Sequence, residues 1–187
     1  MQPGRARFPG LLGSAAAIIL LVATVSAVAR AQEGLSDEYE IRAAMIVNLT
    51  HFIQWPGWKM TAEHHAFEVC ELGSDPVTAS LEKQFSGKAV FDKPVWVRHL
   101  GKDETPDSCH LLYVSESERK RFVAIAPSLN KQAVLSVGAQ DWLLASGGAI
   151  SMPMIDDRVR IQIQITSVQQ GGWVVSSKLL SLATIRR

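Results

Sequence analysis

Arg5 and Arg7 precede a long apolar run, Leu11 to Val28, which closes on Ala29-Arg30-Ala31. A positive start, an apolar stretch and a small-x-small site are the parts of a secretory signal peptide. The expected cut follows Ala31, so residues 1–31 are the leader and the mature chain starts at Gln32. It would then fold after export, in an oxidising compartment. The competing reading is an uncleaved membrane anchor, because the run is about long enough to cross a thin bilayer. Gly13 and Ala15 to Ala17 lower its hydrophobicity and favour cleavage.

Of the 187 residues, 156 follow the cut, enough for one domain with its own core. The leader takes Arg5, Arg7 and Arg30 with it, leaving 16 basic against 18 acidic residues, net −2 with histidine neutral. Such a balance provides no basic field for nucleic acid. No block of like charge marks a disordered tail. The two cysteines, Cys70 and Cys109, form an even pair, and in an exported chain such a pair reads as a disulfide. The bond would close a loop of about 40 residues and contribute roughly 3–4 kcal/mol. The C-x-x-C spacing of a redox motif is absent, so the bond reads as a staple.

Along the chain, Ser36 or Asp37 caps a helix predicted to reach about Trp55, with Ile41, Ala44, Met45, Leu49 and Phe52 on its apolar face. Pro56 and Gly57 stop it. Phe67 to Leu72 alternates as a strand with one buried face. Gly73-Ser74-Asp75-Pro76 turns into a helix that ends before Gly87. Pro94 to Leu100 and Leu111 to Ser115 read as strands. A helix follows from about Glu116 to Asn130, broken or ended by Pro127. Ala133 to Val137 is a strand, and Trp142 to Ala145 is one turn of helix. Ala149–Met154 and Arg158–Ile165 form a hairpin about Asp156-Asp157, and a last helix spans about Ser176 to Ile185. Helices alternating with strands predict an α/β layered sandwich. Its sheet is mixed and mostly parallel, flanked by helices, with a late β-hairpin.

No familiar catalytic motif is evident. There is no Gly-x-Ser-x-Gly elbow. Gly73-Ser74-Asp75 could meet an anion at a helix start, but turn formation explains the same residues. Asp156-Asp157 reads as a polar turn rather than an acid/base pair. The histidines lack metal-ligand spacing; His99 and His110 could flank neighbouring strands, but no third ligand is evident. Neither a metal nor a cofactor is expected, nor an enzymatic activity. Trp55, Pro56 and Trp58 make a rigid amphipathic corner. It is either a binding hot spot or a lid that seals the sheet.

The order and spacing of several segments resemble the YfiR family of periplasmic proteins. These are Arg42-Ala43-Ala44-Met45 leading through Asn48 to Phe52-Ile53-Gln54-Trp55-Pro56, then Phe67-Glu68-Val69-Cys70-Glu71-Leu72-Gly73, then Cys109-His110-Leu111-Leu112-Tyr113-Val114-Ser115. Val134 to Gly138, Gly147-Gly148-Ala149-Ile150, Val159 to Ile163 and Ser176 to Ala183 continue the match over one domain, residues 32–187. The resemblance implies a regulator that restrains an inner-membrane diguanylate cyclase by binding its periplasmic region, lowering cyclic di-GMP and biofilm formation. It further implies sequestration by an outer-membrane lipoprotein, a homodimer, and a structural disulfide at Cys70 and Cys109. A second family cysteine pair has no counterpart: Ala145 and Met152 lie in its region. Gln164 replaces an asparagine, and Thr166 to Gly172 replaces an alanine-rich helix start. The alternatives are a small-ligand-binding sensor module acting with another membrane receptor such as a histidine kinase, and an enzyme with an unfamiliar site.

Overall fold

A computed structural model describes residues 38–187. The predicted leader, its expected cleavage site and the predicted Ser36/Asp37 cap lie outside the described residues. The chain is helical from residue 38 to residue 49 (α1) and then forms a short strand, Ile53–Gln54 (β1). The next elements are β2 (Phe67–Leu72), α2 (Pro76–Phe85), β3 (Ala89–Val90), β4 (Lys93–His99), β5 (Leu111–Val114) and α3 (Arg119–Leu129). They are followed by β6 (Leu135–Gly138), α4 (Trp142–Ala145), β7 (Ile150–Ser151), β8 (Met154–Ile155) and β9 (Arg158–Val159). The last are β10 (Gln162–Gln164), α5 (Ile165–Gln170), β11 (Val174–Val175), α6 (Ser177–Leu182) and β12 (Thr184–Arg186). Among the described residues, no helix is long and apolar enough to cross a membrane.

The architecture is α/β. Eight strands form one mixed, mostly parallel sheet in the order β12-β10-β7-β6-β5-β2-β4-β3. The ladders β4–β2–β5–β6–β7 and β10–β12 are parallel; β7–β10 and β3–β4 are antiparallel. Counted in chain order, the five inner parallel strands lie as 2-1-3-4-5, an order of doubly wound folds. One sheet face packs Phe67, Val69, Leu111, Tyr113, Leu135 and Val137 against Ile46 and Val47 of α1 and Val77, Leu81 and Phe85 of α2. The other packs Cys70, Leu72, Leu112 and Val114 against Phe122, Ala126 and Leu129 of α3 and Leu143 and Leu144 of α4. β2 therefore buries both faces, where its alternation predicts one. It lies inside the sheet between two parallel strands, with helices above and below.

Three predicted elements change. The first helix stops at residue 49, six residues short of Trp55. There the Thr50 hydroxyl donates to the Val47 carbonyl (2.7 Å), and the Thr50, His51 and Phe52 amides turn back by three residues. β1 then pairs antiparallel with β11, 120 residues on, a partner that no local signal reveals. The hairpin forms as two short ladders, β7–β10 and β8–β9, with Asp156 and Asp157 both at positive φ (50° and 55°) as a two-residue polar turn requires. The C-terminal helix is cut to Ser177–Leu182. The Thr184 amide leaves it for the Ile161 carbonyl (2.8 Å), and Thr184–Arg186 closes the sheet edge beside β10.

Candidate docking surface

Cys70 sits on β2 and Cys109 just before β5. Their sulfurs are bonded, with Cα atoms 5.9 Å apart and 39 residues of separation. Both residues are fully buried. Over them, Glu68 Oε2 accepts from Arg98 Nε (3.3 Å) and the Ser108 hydroxyl (2.8 Å). Glu68, Cys70 and Cys109 are close enough to share a cation. A metal would need thiolates, and these sulfurs are spent on each other.

His110 and His99 do not flank each other: β2 separates their strands. His110 is fully buried. Its Nδ1 accepts from the Glu68 amide (3.0 Å), so Nε2 carries the proton and donates to the Lys59 carbonyl (3.1 Å). Burial first, and the Lys59 charge second, hold its pKa down at about 4. Burial likewise lowers Lys59, whose ammonium donates to the Asp107 carbonyl (2.7 Å).

Asp75 explains the Gly73-Ser74-Asp75 turn. Oδ1 accepts from the Val77 amide (2.8 Å) and Oδ2 from the Tyr113 hydroxyl (2.9 Å). The start of α2 is thus held by the chain's own carboxylate, where the anion reading would place a ligand. Next to it, Glu71 is only 2% exposed, and its Oε1 has no partner. Burial, then the charges of Glu82 and Asp75, push its pKa up to about 7.

The tryptophan corner divides. Trp55 is 6% exposed; its Nε1–H donates to the His110 carbonyl (3.1 Å), and its ring stands edge-on to Phe67. Half-buried Pro56 faces Gly172. Trp58, in a 3-10 turn at Gly57–Lys59, is 58% exposed. Trp55 seals the sheet, and of the three Trp58 presents the exposed large apolar side chain.

Two grooves meet at Phe52, the first mostly apolar and the second mixed. One groove of about 440 Å³ runs between Met45, Asn48 and Leu49 of α1 and Lys178, Leu179 and Leu182 of α6, floored by Phe52 and Ile161. A second, of about 320 Å³, continues from Phe52 past His51 and Gln54 to Phe91, Val174 and Ser176. The stripe predicted as the buried face of the first helix supplies part of this wall. Ile41 is 51% exposed, and Met45 and Phe52 are half-buried. The buried face is centred on Arg42, Ala43, Ile46 and Val47, and of the predicted stripe Leu49 stays buried. Arg42 can be buried because its Nε donates to the Met152 carbonyl (3.1 Å) and its guanidinium pairs with Glu38 (2.6 Å). A basic residue on an apolar face is the signal that misdirects the helical periodicity. The α6 wall escapes sequence reading because its residues are far from α1 along the chain.

Ser176 caps α6: its hydroxyl accepts from the Leu179 amide (3.3 Å). Ser176→Ala is expected to cost about 1 kcal/mol in urea unfolding.

A family model described as YfiR/HmsC-like matches residues 39–184. No curated protein matches the chain. The matched span runs from α1 into β12 and takes in both core layers, the disulfide and the Phe52 grooves. The chain belongs to the YfiR/HmsC-like family.

Proposed function

We propose that this protein is a periplasmic regulator that binds the periplasmic region of an inner-membrane diguanylate cyclase and holds it inactive, lowering cyclic di-GMP and biofilm formation. The observation that supports this reading is the family match over residues 39–184. The apolar groove between α1 and α6 and the exposed Trp58 are consistent with it, since exposed apolar surface marks protein contacts. Regulation requires tighter binding to the inactive cyclase than to the active one. A preference of about 3 kcal/mol shifts the balance roughly 100-fold. Sequestration by an outer-membrane lipoprotein and a homodimeric state belong to the same proposal.

The test is cellular cyclic di-GMP in a deletion strain, complemented with and without residues 1–31. A rise on deletion that only the exported form reverses supports the reading. Unchanged cyclic di-GMP would favour the ligand-sensor alternative, for which a groove of about 440 Å³ lies within the usual size of small-molecule sites.

Of the Trp55, Pro56 and Trp58 corner, Trp58 is the direct partner contact. Trp55 and Pro56 hold its turn in place. Trp58→Ala should raise cyclic di-GMP while stability stays within about 0.5 kcal/mol, because the ring is exposed. Normal cyclic di-GMP in that variant removes Trp58 from the interface.

A further inference from the structure

Trp58 and Lys59 are neighbours in one 3-10 turn, and their environments are opposite. Trp58 is 58% exposed, whereas Lys59 is 3% exposed. Lysine is almost never buried without an ionic partner. Among the described residues, no carboxylate lies within ion-pair reach of the Lys59 ammonium. It donates instead to the Asp107 carbonyl (2.7 Å). Burial lowers its pKa, against the attraction of Glu68 and Asp107, so the enclosed charge costs stability. An outward-facing lysine would extend its ammonium into water at no such cost. Local features that cost stability gather at functional sites.

The turn is tied through its backbone as well. His110 Nε2–H donates to the Lys59 carbonyl (3.1 Å). The Lys59 and Met60 amides close the turn on the Pro56 and Gly57 carbonyls (2.9 and 3.1 Å). Asp107 and His110 flank Cys109, which is bonded to Cys70, so the segment that Lys59 grips is cross-linked to β2. The loop between β1 and β2 holds the 3-10 turn and no strand, so side-chain bonds set its position. Lys93 holds the far half, donating to the Thr61 and His64 carbonyls (3.0 and 2.6 Å). Lys59 holds the half that carries Trp58.

We propose that Lys59 is a positioning residue: its tether to Asp107 holds the turn so that Trp58 meets the protein partner in a fixed orientation. The partner contact of Trp58 rests on the reading above; the tether rests on the geometry of the turn. An indole held in place before docking loses less conformational entropy when it binds.

Lys59→Met tests this, because it keeps an unbranched apolar stem and removes the ammonium. In the purified protein, the amides of positions 59 and 60 should exchange hydrogen roughly tenfold faster or more, as local opening of the turn requires. The melting temperature should stay level or rise, since a buried charge without an ionic partner has gone. A deletion strain complemented with Lys59→Met should show cyclic di-GMP as high as one complemented with Trp58→Ala. A residue that only stabilises the fold would lose melting temperature and repression together.

A lowered melting temperature or a failure to fold overturns the inference, because the lysine is then structural. So does unchanged exchange at the turn. Wild-type cyclic di-GMP in Lys59→Met, when Trp58→Ala raises it, also overturns the inference and leaves the Trp58 contact standing. If the turn opens at level melting temperature and neither variant moves cyclic di-GMP, the tether stands and the Trp58 contact fails.

Discussion

Removing the disulfide should cost the protein about 4 kcal/mol, the chain-entropy value for a loop of this size, which closes 39 residues. For a domain of this length that corresponds to a fall of roughly 10 °C in melting temperature. Cys70→Ala with Cys109→Ala is the clean variant. A serine at either fully buried position would add an unpaired hydroxyl, for an additional 1–3 kcal/mol or so. The bond joins β2, near the middle of the sheet, to the start of β5, so its loss loosens the strand pair about which both core layers are built. Urea unfolding of oxidised wild type, reduced wild type and the double-alanine variant checks this. The last two should coincide below the first. Two alkylatable thiols in the unreduced protein would overturn the staple. Reduction should also be slow in the native state, because the sulfurs lie beneath Arg98, Glu68 and Ser108.

Glu71→Gln should stabilise the protein at pH 8 by on the order of 3 kcal/mol and leave it nearly unchanged at pH 4.5. The carboxyl is pushed from 4.5 up to about 7, at about 1.4 kcal/mol per unit. The folded state therefore holds a proton that the unfolded chain has released. The stabilisation is complete below pH 4.5 and is lost as pH rises through 7. His110 acts in the opposite sense. Its pKa falls from 6.5 to about 4, so its contribution is present above pH 6.5 and is lost as pH falls through 4. Between pH 4.5 and 6.5 the two slopes oppose, and these groups leave wild-type stability nearly flat. In Glu71→Gln the His110 slope is exposed, and stability should climb across that window. Denaturant unfolding at pH 4.5, 5.5, 6.5 and 8 reads it directly. An equal difference between variant and wild type at every pH would show that Glu71 acts by packing and not by ionisation.

Local patterns were legible where one physical rule acted alone. Asp75-Pro76 starts α2 because a carboxylate can cap and proline needs no amide bond at N1. Asp156-Asp157 turns because both residues tolerate positive φ. Leu111–Ser115 and Ala133–Val137 read as strands from their branched apolar residues, and the structure buries Leu111–Val114 and Leu135–Gly138 on both faces. Local preference gave way where a distant partner outweighed it. Thr184–Arg186 leaves the helical pattern of its neighbours because β10 offers a sheet edge. The face of α1 is set by an arginine that Met152 and Glu38 can satisfy, which periodicity counts as polar. Of the candidate surface, the sequence pointed to Trp55, Pro56 and Trp58, but not to which of the two rings is exposed, and it placed Phe52 on the apolar face of the first helix.

By itself, then, the sequence determined the layered α/β class, the cysteine pair and the family, because alternation, helix spacing and motif order are written along the chain. The tertiary structure alone decided that Trp55 is sealed while Trp58 is exposed, that Glu71 is buried without a partner for Oε1, and that α6 faces α1 across Phe52. Each of these depends on contacts between residues far apart along the chain. The free energy of such a contact comes from desolvation and pairing in the folded state, which no local pattern carries.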